Sequence, residues 1–320
     1  MIAKVELHVH LEGTAPPELI GRLADRNGLA VPEGVFADSE RFAYTDFLDF
    51  LDTYDRAASV IRTTDDYRDL TYEYLAGCAR EGAIYVELIV SPDHAQLVGL
   101  SGELHLGAIA RGIDEARSDH GIEARVQLVA VRNFGAEQAV HVARYAATRP
   151  HPYVVGFNLA GDEAHYPAGD FAQAFAIAAE AGLGCTVHAG EWDGPQSVWA
   201  ALDLPVTRIG HGVRAIEDPG LVEELARREM VLECCPTSNV ALGLYGSYED
   251  HPLPRLMHAG VRATLGSDDP PYFGASIGGE YDLCKQRFGF DDEKLRSISR
   301  TAVEAAFCEE TLKERLIQRV

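Results

Sequence analysis

Four short segments of this 320-residue chain carry closely spaced histidines and carboxylates. Along the chain these residues are His8 and His10, His188 and Glu191, His211, and the adjacent Asp268 and Asp269. Imidazole nitrogens and carboxylate oxygens are typical ligands of zinc and similar divalent ions in enzymes. Each motif alone is common in turns and helix caps. A catalytic metal site is therefore predicted only if the fold brings the four segments together.

The elements that would position these motifs are eight short runs rich in β-branched and apolar residues, separated by amphipathic, helix-like stretches. Several runs are almost continuously apolar, as in parallel strands that are covered on both faces. The predicted strands are Val5–His10, Ile84–Val90, Arg125–Arg132, Val154–Leu159, Gly184–His188, Thr207–His211, Val231–Cys235 and Arg262–Ser267. Eight alternations predict an α/β fold of the (β/α)8 TIM barrel type, with a doubly wound open sheet as the alternative.

All four motifs lie at the C-terminal ends of predicted strands, the face on which barrel enzymes build their active sites. His8 and His10 are two residues apart in one strand, so both imidazoles should point to the same side. His188 and His211 end the fifth and sixth strands, and Asp268 follows the eighth. Because four independent weak signals coincide at one end of the barrel, the sequence predicts a metal site there.

The segment between the first two strands is longer than a single crossover helix requires. Its residues Thr45–Ile61 place Phe47, Phe50, Leu51 and Tyr54 at helical spacing. This stretch is predicted either as a helix packed on the barrel or as an apolar wall over the pocket mouth, and both can hold together. Phe47 and Phe50 are therefore candidate substrate contacts. No linker interrupts the pattern, so we expect residues 1–320 to form one domain.

The charge of the chain argues against anionic partners. Lys and Arg total 28 against 50 Asp and Glu, a formal net charge of -22, which disfavours nucleic acid and anionic membrane surfaces. The six cysteines form no CxxC pair and are expected to be buried, reduced thiols. The N-terminus lacks the apolar core of a signal peptide, so a cytoplasmic enzyme is predicted. The sequence leaves the oligomeric state open.

Six motifs, spread from the first predicted strand to the last, resemble the adenosine deaminase family in sequence and order. They are His8-Val-His-Leu-Glu-Gly13, Leu159-Ala-Gly-Asp-Glu163, His188-Ala-Gly-Glu191, Arg208-Ile-Gly-His-Gly212, Thr237-Ser-Asn239 and Ser267-Asp-Asp-Pro270. The resemblance covers nearly the whole chain and implies a (β/α)8 barrel. It also implies one Zn²⁺ cofactor and hydrolytic removal of the 6-amino group of a small purine.

The resemblance also implies a role for each site residue. His8, His10, His188 and Asp268 correspond to the zinc ligands. Glu191 corresponds to the acid that protonates purine N1, which requires a carboxyl group kept neutral in an apolar pocket. His211 corresponds to the group that orients and deprotonates the attacking water. Asp269 would hydrogen-bond to N7, and the Gly161 amide would contact N3.

Two features of the sequence leave the substrate open among 6-aminopurines. Glu12 stands where typical adenosine deaminases have an Asp that contacts the ribose 5′-hydroxyl, so Glu12 is a candidate substrate contact at an altered sugar end. The stretch Pro271-Tyr-Phe-Gly274 is similar to that of bacterial adenine deaminases, whereas Gly210 follows the adenosine enzymes. The predicted substrate is adenosine, with adenine and 6-aminodeoxyfutalosine as alternatives. AMP is disfavoured by the acidic charge.

Other functional classes fit the sequence less well. The P-C-x-x-C motif that accompanies H-x-E in the cytidine-type enzymes does not occur, and Cys234-Cys235-Pro236 has the wrong order and spacing. No lysine lies near the end of the fourth strand, so a single metal is predicted in place of a lysine-bridged pair. A different barrel hydrolase or a non-catalytic metal-binding relative remain alternatives, although the full set of ligands and the acid argue against both. Iron or cobalt would also suit three His and one Asp.

Overall fold

Eight strands form one parallel sheet in the computed structural model, which describes residues 2–320. Each strand pairs with the next one in the chain. The strands are β1 (Lys4–His10), β2 (Ala83–Val90), β3 (Glu123–Val131), β4 (Val154–Ala160), β5 (Gly184–Ala189), β6 (Arg208–His211), β7 (Val231–Cys234) and β8 (Arg262–Leu265).

The first and last strands meet and almost close the sheet. Val9 and Asp268 form a parallel bridge, in which the His10 amide donates to the Asp268 carbonyl at 3.0 Å and the Asp268 amide donates to the His8 carbonyl at 3.2 Å. The predicted (β/α)8 barrel is therefore confirmed, and the open sheet is excluded.

Helices cover the outside of the barrel and separate the strands. They are α1 (Pro17–Arg26), α2 (Phe47–Ala58), α3 (Thr64–Arg80), α4 (Pro92–Leu97), α5 (Gly102–His120), α6 (Ala136–Ala147), α7 (Ala172–Glu180), α8 (Pro195–Ala201), α9 (Pro219–Arg227), α10 (Pro236–Ala241), α11 (Leu253–His258), α12 (Pro270–Phe273), α13 (Ile277–Arg287), α14 (Asp292–Ala305) and α15 (Glu310–Ile317). β2 and β4 are buried at every position, because side chains on one face fill the barrel and those on the other pack under helices.

The predicted extra helical segment after β1 is confirmed and consists of α1 and α2, which precede the crossover helix α3. α2 begins at Phe47 because the Asp46 side chain accepts a hydrogen bond from the Asp49 amide and caps the helix. α3 begins with a reciprocal capping box between Thr63 and Asp66. These caps fix where the aromatic residues of α2 stand relative to the barrel mouth.

The strand bounds differ from the predicted ones by at most a few residues. β8 ends at Leu265, two residues before the predicted Ser267. The Ser267 amide and hydroxyl both donate hydrogen bonds to the Glu6 carboxylate, at 2.8 and 2.6 Å. Ser267 is therefore held by a side chain from β1 and does not continue β8. The next residue, Asp268, has φ 63°, which takes the chain out of strand geometry.

Two further expectations concern the chain as a whole. Within residues 2–320, no helix combines the length and the apolar character needed to cross a membrane. All six cysteines are buried and none is in a disulfide, as the spacing predicts.

Candidate active site

The four predicted ligands converge at the C-terminal end of the barrel. His8, His10, His188 and Asp268 each offer one ligand atom, and these atoms lie within 4.8 Å of one another. The Asp268 Oδ1 atom lies 3.4 Å from the Nε2 atoms of both His8 and His10, and the Nε2 atoms of His10 and His188 are 3.2 Å apart. His8 Nε2 is buried without a hydrogen-bond partner. Three imidazoles and one carboxylate fit a catalytic divalent ion such as zinc.

The backbone around this cluster is shaped to let the ligands approach. Gly210 stands against two of them, since a Cβ atom there would lie 2.9 Å from His8 Cε1 and 3.3 Å from His188 Nδ1. Asp268 and His211 have φ angles of 63° and 57°, in the left-handed region that residues with a Cβ atom seldom adopt. Such strain is often kept at functional sites because it aims a side chain.

Each of three ligands is held by a second group. His8 Nδ1 lies 2.7 Å from Glu233 Oε2, His188 Nδ1 lies 3.1 Å from the Leu159 carbonyl, and the Ser238 hydroxyl donates to Asp268 Oδ2 at 2.6 Å. A hydrogen bond at Nδ1 leaves Nε2 free for a metal and fixes the ring orientation. Sequence reasoning missed Glu233, whose only signal is a single carboxylate inside the apolar strand β7.

Glu233 belongs to a buried ionic group in the barrel interior. Arg208 lies between two carboxylates, with Nε 2.6 Å from Glu233 Oε1 and Nη2 2.7 Å from Glu87 Oε2, and all three side chains are fully buried. Burial alone would raise the pKa of Glu233, but the Arg208 charge and the His8 hydrogen bond outweigh it and lower that pKa. The carboxylate behind His8 is therefore kept ionised.

The predicted acid and its histidine neighbour lie beside the ligand cluster. Glu191 Oε2 is 3.6 Å from His211 Nε2. Burial raises the pKa of Glu191 well above its ordinary value, and the charges of Asp268 and Glu163 add to this effect. Burial lowers the pKa of His211 to about 3. The loop that carries Glu191 is held by Glu163, whose carboxylate accepts the amides of Glu191 at 3.1 Å and Trp192 at 2.8 Å.

Asp269 and Gly161 lie on two other sides of the same cavity. Asp269 Oδ1 is buried without a partner, and burial together with the Asp268 charge raises the pKa of Asp269. Gly13 makes room for this carboxyl group, since a Cβ atom at Gly13 would lie 1.7 Å from Asp269 Oδ1. Gly161 has φ 100°, so its backbone approaches the cavity in a conformation that favours glycine.

The cavity above the ligands encloses about 640 Å³ of empty space, part of it open to solvent, and α2 forms one wall. Phe47 and Phe50 both line it, as do Leu51, Tyr54 and Asp55. Phe47 stacks on Trp192 with ring centroids 4.5 Å apart, and Phe50 packs on Phe273 at 5.2 Å. α2 is thus both packed on the barrel and part of the pocket wall.

Glu12 is not among the residues that line this cavity. Its carboxylate is buried, accepts a hydrogen bond from the Ser91 amide at 3.3 Å and lies 4.0 Å from His105 Nε2. Burial raises the pKa of Glu12. In this structure Glu12 therefore supports Ser91, which does line the cavity, and the predicted contact of Glu12 with a substrate stays a prediction.

A polar group that the sequence did not indicate joins α2 to the start of α4. His94 Nε2 lies 2.8 Å from Asp55 Oδ1, and His94 Nδ1 lies 2.7 Å from the Ser91 hydroxyl. All three residues line the cavity. Asp55 and His94 are 39 residues apart and belong to different helices, so nothing in their sequence spacing predicts the contact.

A barrel with three histidines and an aspartate at its strand ends, beside a buried acid, defines a metal-dependent amidohydrolase. Residues 3–320 match the family described as adenosine deaminase, and the chain belongs to that family. It is accordingly a hydrolase that acts on C–N bonds in cyclic amidines.

The chain is also similar to two adenine deaminases and to a zinc-bound amidohydrolase. The chain is 45% identical to an adenine deaminase of Agrobacterium fabrum over 320 residues, which is 100% of this chain and 98% of that protein. It is similar to the crystal structure of an adenine deaminase from Arthrobacter aurescens (29% identity, TM-score 0.92, 100% and 98% of the two chains). It also resembles a zinc-bound amidohydrolase from Burkholderia ambifaria (25% identity, TM-score 0.89, 98% and 88% of the two chains).

Proposed function

We propose that this protein is an adenine deaminase, which converts adenine and water to hypoxanthine and ammonia with one divalent ion, zinc by ligand type. The observation that carries the proposal is the 45% identity to an adenine deaminase over the whole chain, with every predicted ligand and the acid present. The sequence motifs alone favoured adenosine. The relatives favour adenine, which was the alternative.

The order of residues around the cavity supports this substrate. The residues that line the cavity follow the order of the strands around the barrel. Gly161 follows β4, Val131 and Val129 belong to β3, and Ser91 and His94 follow β2. Beyond β1, Asp269 follows β8, His211 ends β6 and Glu191 follows β5. The perimeter of a purine runs N3, N9, N7, C6 and N1. With Gly161 at N3, Asp269 at N7 and Glu191 at N1, the C6 amino group faces the ligand cluster and His211.

N9 then faces the sector of Ser91 and His94. A free base carries no substituent at N9, so its ring edge can lie against this polar sector, where the Ser91 hydroxyl is able to accept a hydrogen bond from N9–H. A ribose on N9 would have to occupy the space that the Asp55–His94 pair and Tyr54 border. The sector therefore favours a base over a nucleoside.

Each residue of the site has its own role in the proposed deamination. His8, His10, His188 and Asp268 would hold the ion, which would lower the pKa of water to about 7 and so supply a nucleophile at neutral pH. Glu191 protonates N1, which allows attack at C6 without a full negative charge on the ring. Asp269 holds N7, and His211 contacts the attacking oxygen. Phe47, Phe50 and Trp192 cover the site and limit access of bulk water.

The test is turnover of four substrates by one preparation of zinc-loaded protein: adenine, adenosine, 6-aminodeoxyfutalosine and AMP. Absorbance change at the purine band and ammonia release are measured with and without a chelator that is afterwards replaced by zinc. We expect the highest kcat/KM with adenine, loss of activity with the chelator and recovery with zinc. A higher kcat/KM for adenosine would overturn the choice of substrate. Adenine turnover unaffected by metal removal would overturn the role of the ion.

A further inference from the structure

A buried chain of hydrogen bonds leads from the backbone of α11 to His211. The Leu253 amide lies 3.3 Å from His251 Nδ1, His251 Nε2 lies 3.1 Å from Asn239 Oδ1, and Asn239 Nδ2 lies 3.3 Å from His211 Nδ1. The side chains of His251, Asn239 and His211 are all buried. Asn239 ends the Thr237-Ser-Asn239 motif, for which the resemblance supplied no role.

The Leu253 amide fixes which atom donates and which accepts in every hydrogen bond of this series. A backbone amide can only donate, so His251 Nδ1 must accept, and a neutral imidazole then carries its proton on Nε2. His251 Nε2–H donates to the Asn239 carbonyl oxygen, and the Asn239 amide nitrogen donates to His211 Nδ1. His211 Nδ1 is thus an acceptor, and neutral His211 carries its proton on Nε2.

His251 is in surroundings that keep it neutral. Its ring lies between those of Tyr245 and Phe288, with centroid distances of 5.2 and 5.9 Å, and burial lowers the pKa of His251 to about 3. No carboxylate contacts it among the hydrogen bonds and ion pairs of residues 2–320. A neutral His251 is what the directional argument requires, because a doubly protonated ring could not accept from Leu253.

We propose that Asn239 and His251 are positioning residues that hold His211 as the Nε2–H tautomer, with that N–H directed at the reacting site. The inference rests on the proposed function for its kinetic part. Nε2 is the atom that lies 3.6 Å from Glu191 Oε2, on the side of the ligand cluster. His211 therefore acts on the attacking oxygen as a hydrogen-bond donor, and the proton that this oxygen loses passes to the neighbouring Glu191 carboxylate, which has given its own proton to N1, in place of passing to His211 as the resemblance implies.

Two substitutions separate this role from simple packing. In Asn239→Asp, which keeps the size of the side chain, both oxygens of the ionised carboxylate can only accept, so at a pH where this group is ionised His211 must donate from Nδ1 and its proton position reverses. In His251→Gln, the amide oxygen can still accept from Leu253 and the amide nitrogen can still donate to Asn239. Asn239→Asp reverses donor and acceptor at His211 Nδ1, whereas His251→Gln keeps the donor and acceptor order of the whole series.

The measurement is ¹⁵N NMR of zinc-loaded protein labelled at histidine, because protonated and unprotonated ring nitrogens have well-separated shifts. The His211 signals are assigned by their loss in His211→Gln. We expect an unprotonated Nδ1 and a protonated Nε2 in the native protein and in His251→Gln, and a protonated Nδ1 in Asn239→Asp. His251→Phe, which removes the donor to Asn239 and keeps an aromatic ring, should give a mixture of tautomers.

Kinetics with adenine supply the second readout. Asn239→Asp should lower kcat by about 10²-fold or more with little change in KM or zinc content, since a wrong tautomer removes a transition-state contact. His251→Gln should stay near the native kcat. A protonated Nδ1 in the native protein, or an unchanged tautomer in Asn239→Asp, overturns the proposal. Absence of adenine turnover in the native protein would overturn the proposed function and leave the NMR result to decide the tautomer.

Discussion

The two halves of the cavity are built in different ways. The floor, at the ends of β1, β5, β6 and β8, consists of side chains that are mostly buried, and several of them are held by a second residue, such as Glu233 behind His8 and Ser238 beside Asp268. The rim, from α2 and the start of α4, consists of aromatic rings and one polar pair. That pair is partly open to water, since the Asp55 side chain is 54% exposed.

This difference matches the tasks we assign to the two halves. Proton transfer and metal binding require atoms fixed to a fraction of an ångström, which strands with buried supporting groups provide. Selection between a base and a nucleoside requires only that one sector of the wall be filled or empty. A helix in a long insertion can change that sector without disturbing the floor. Under the proposed function, the chemistry and the substrate choice are thus assigned to separate elements.

Glu191→Gln should give the largest effect and tests the floor. The amide keeps the shape of the side chain but cannot supply a proton to N1, so kcat for adenine should fall by about 10²- to 10⁴-fold. Zinc content, measured by atomic absorption, should not change because Glu191 is not among the ligands. Glu180→Gln on the exposed face of α7 is the control. Near-native turnover in Glu191→Gln would remove Glu191 as the acid.

Glu233→Gln should weaken metal binding and tests whether the floor depends on its supporting groups. Without the carboxylate, His8 is a poorer and less well-oriented ligand, so zinc affinity should fall by about 10- to 100-fold. Competition with a chromogenic chelator measures the zinc affinity. Glu280→Gln is a matched control, since that buried carboxyl group contacts Thr237 and its pKa, raised by burial to about 8, keeps it neutral near pH 7. Equal zinc affinity in both variants would contradict the assignment.

His94→Ala should change the substrate preference and tests the rim. Removing the imidazole empties the sector that N9 faces, so the ratio of kcat/KM for adenosine to that for adenine should rise by about tenfold or more. Asp52→Asn serves as the control because Asp52 lies on α2, the helix of the His94 partner Asp55, is exposed and, among the ion pairs of residues 2–320, pairs with Arg56 alone. An unchanged ratio in His94→Ala would show that the base is selected elsewhere.

Asp55→Asn should give the smallest effect and concerns stability. Burial lowers the pKa of His94, but the Asp55 hydrogen bond and the Glu12 charge outweigh it and raise that pKa above 6.5. The pair therefore stabilises the fold fully below pH 6.5, and this contribution is lost as the pH rises through the raised pKa.

The size of that contribution is limited by solvent. A partly exposed pair is worth about 0.2–1 kcal/mol, which urea unfolding at several pH values can detect. The difference in free energy of unfolding between native protein and Asp55→Asn should be largest at acidic pH and should vanish at alkaline pH. A difference that grows with pH would contradict the pairing.

The ligands of the floor and the aromatic wall of α2 could be predicted from the sequence, whereas the supporting groups of the floor and the polar pair of the rim could not. His8, His10, His188 and Asp268 are recognisable because each lies at the end of an apolar strand, and barrel strands bring their ends together. Glu233 is 225 residues from His8, and the Asn239–His251 and Asp55–His94 contacts join loops and short helices. Periodicity carries no information on such packing. The position of Glu12 in the chain likewise does not reveal that its carboxylate accepts from the Ser91 amide, and its contact with substrate stays a prediction.

The most direct test of the division between floor and rim is a crystal structure of the zinc-loaded protein with hypoxanthine, the proposed product. We expect N1 beside Glu191, N7 beside Asp269, the C6 oxygen toward the ligand cluster and His211, and N9 against Ser91 and His94. A ring turned over, with N9 toward Glu191 or with the Ser91–His94 sector empty, would contradict it.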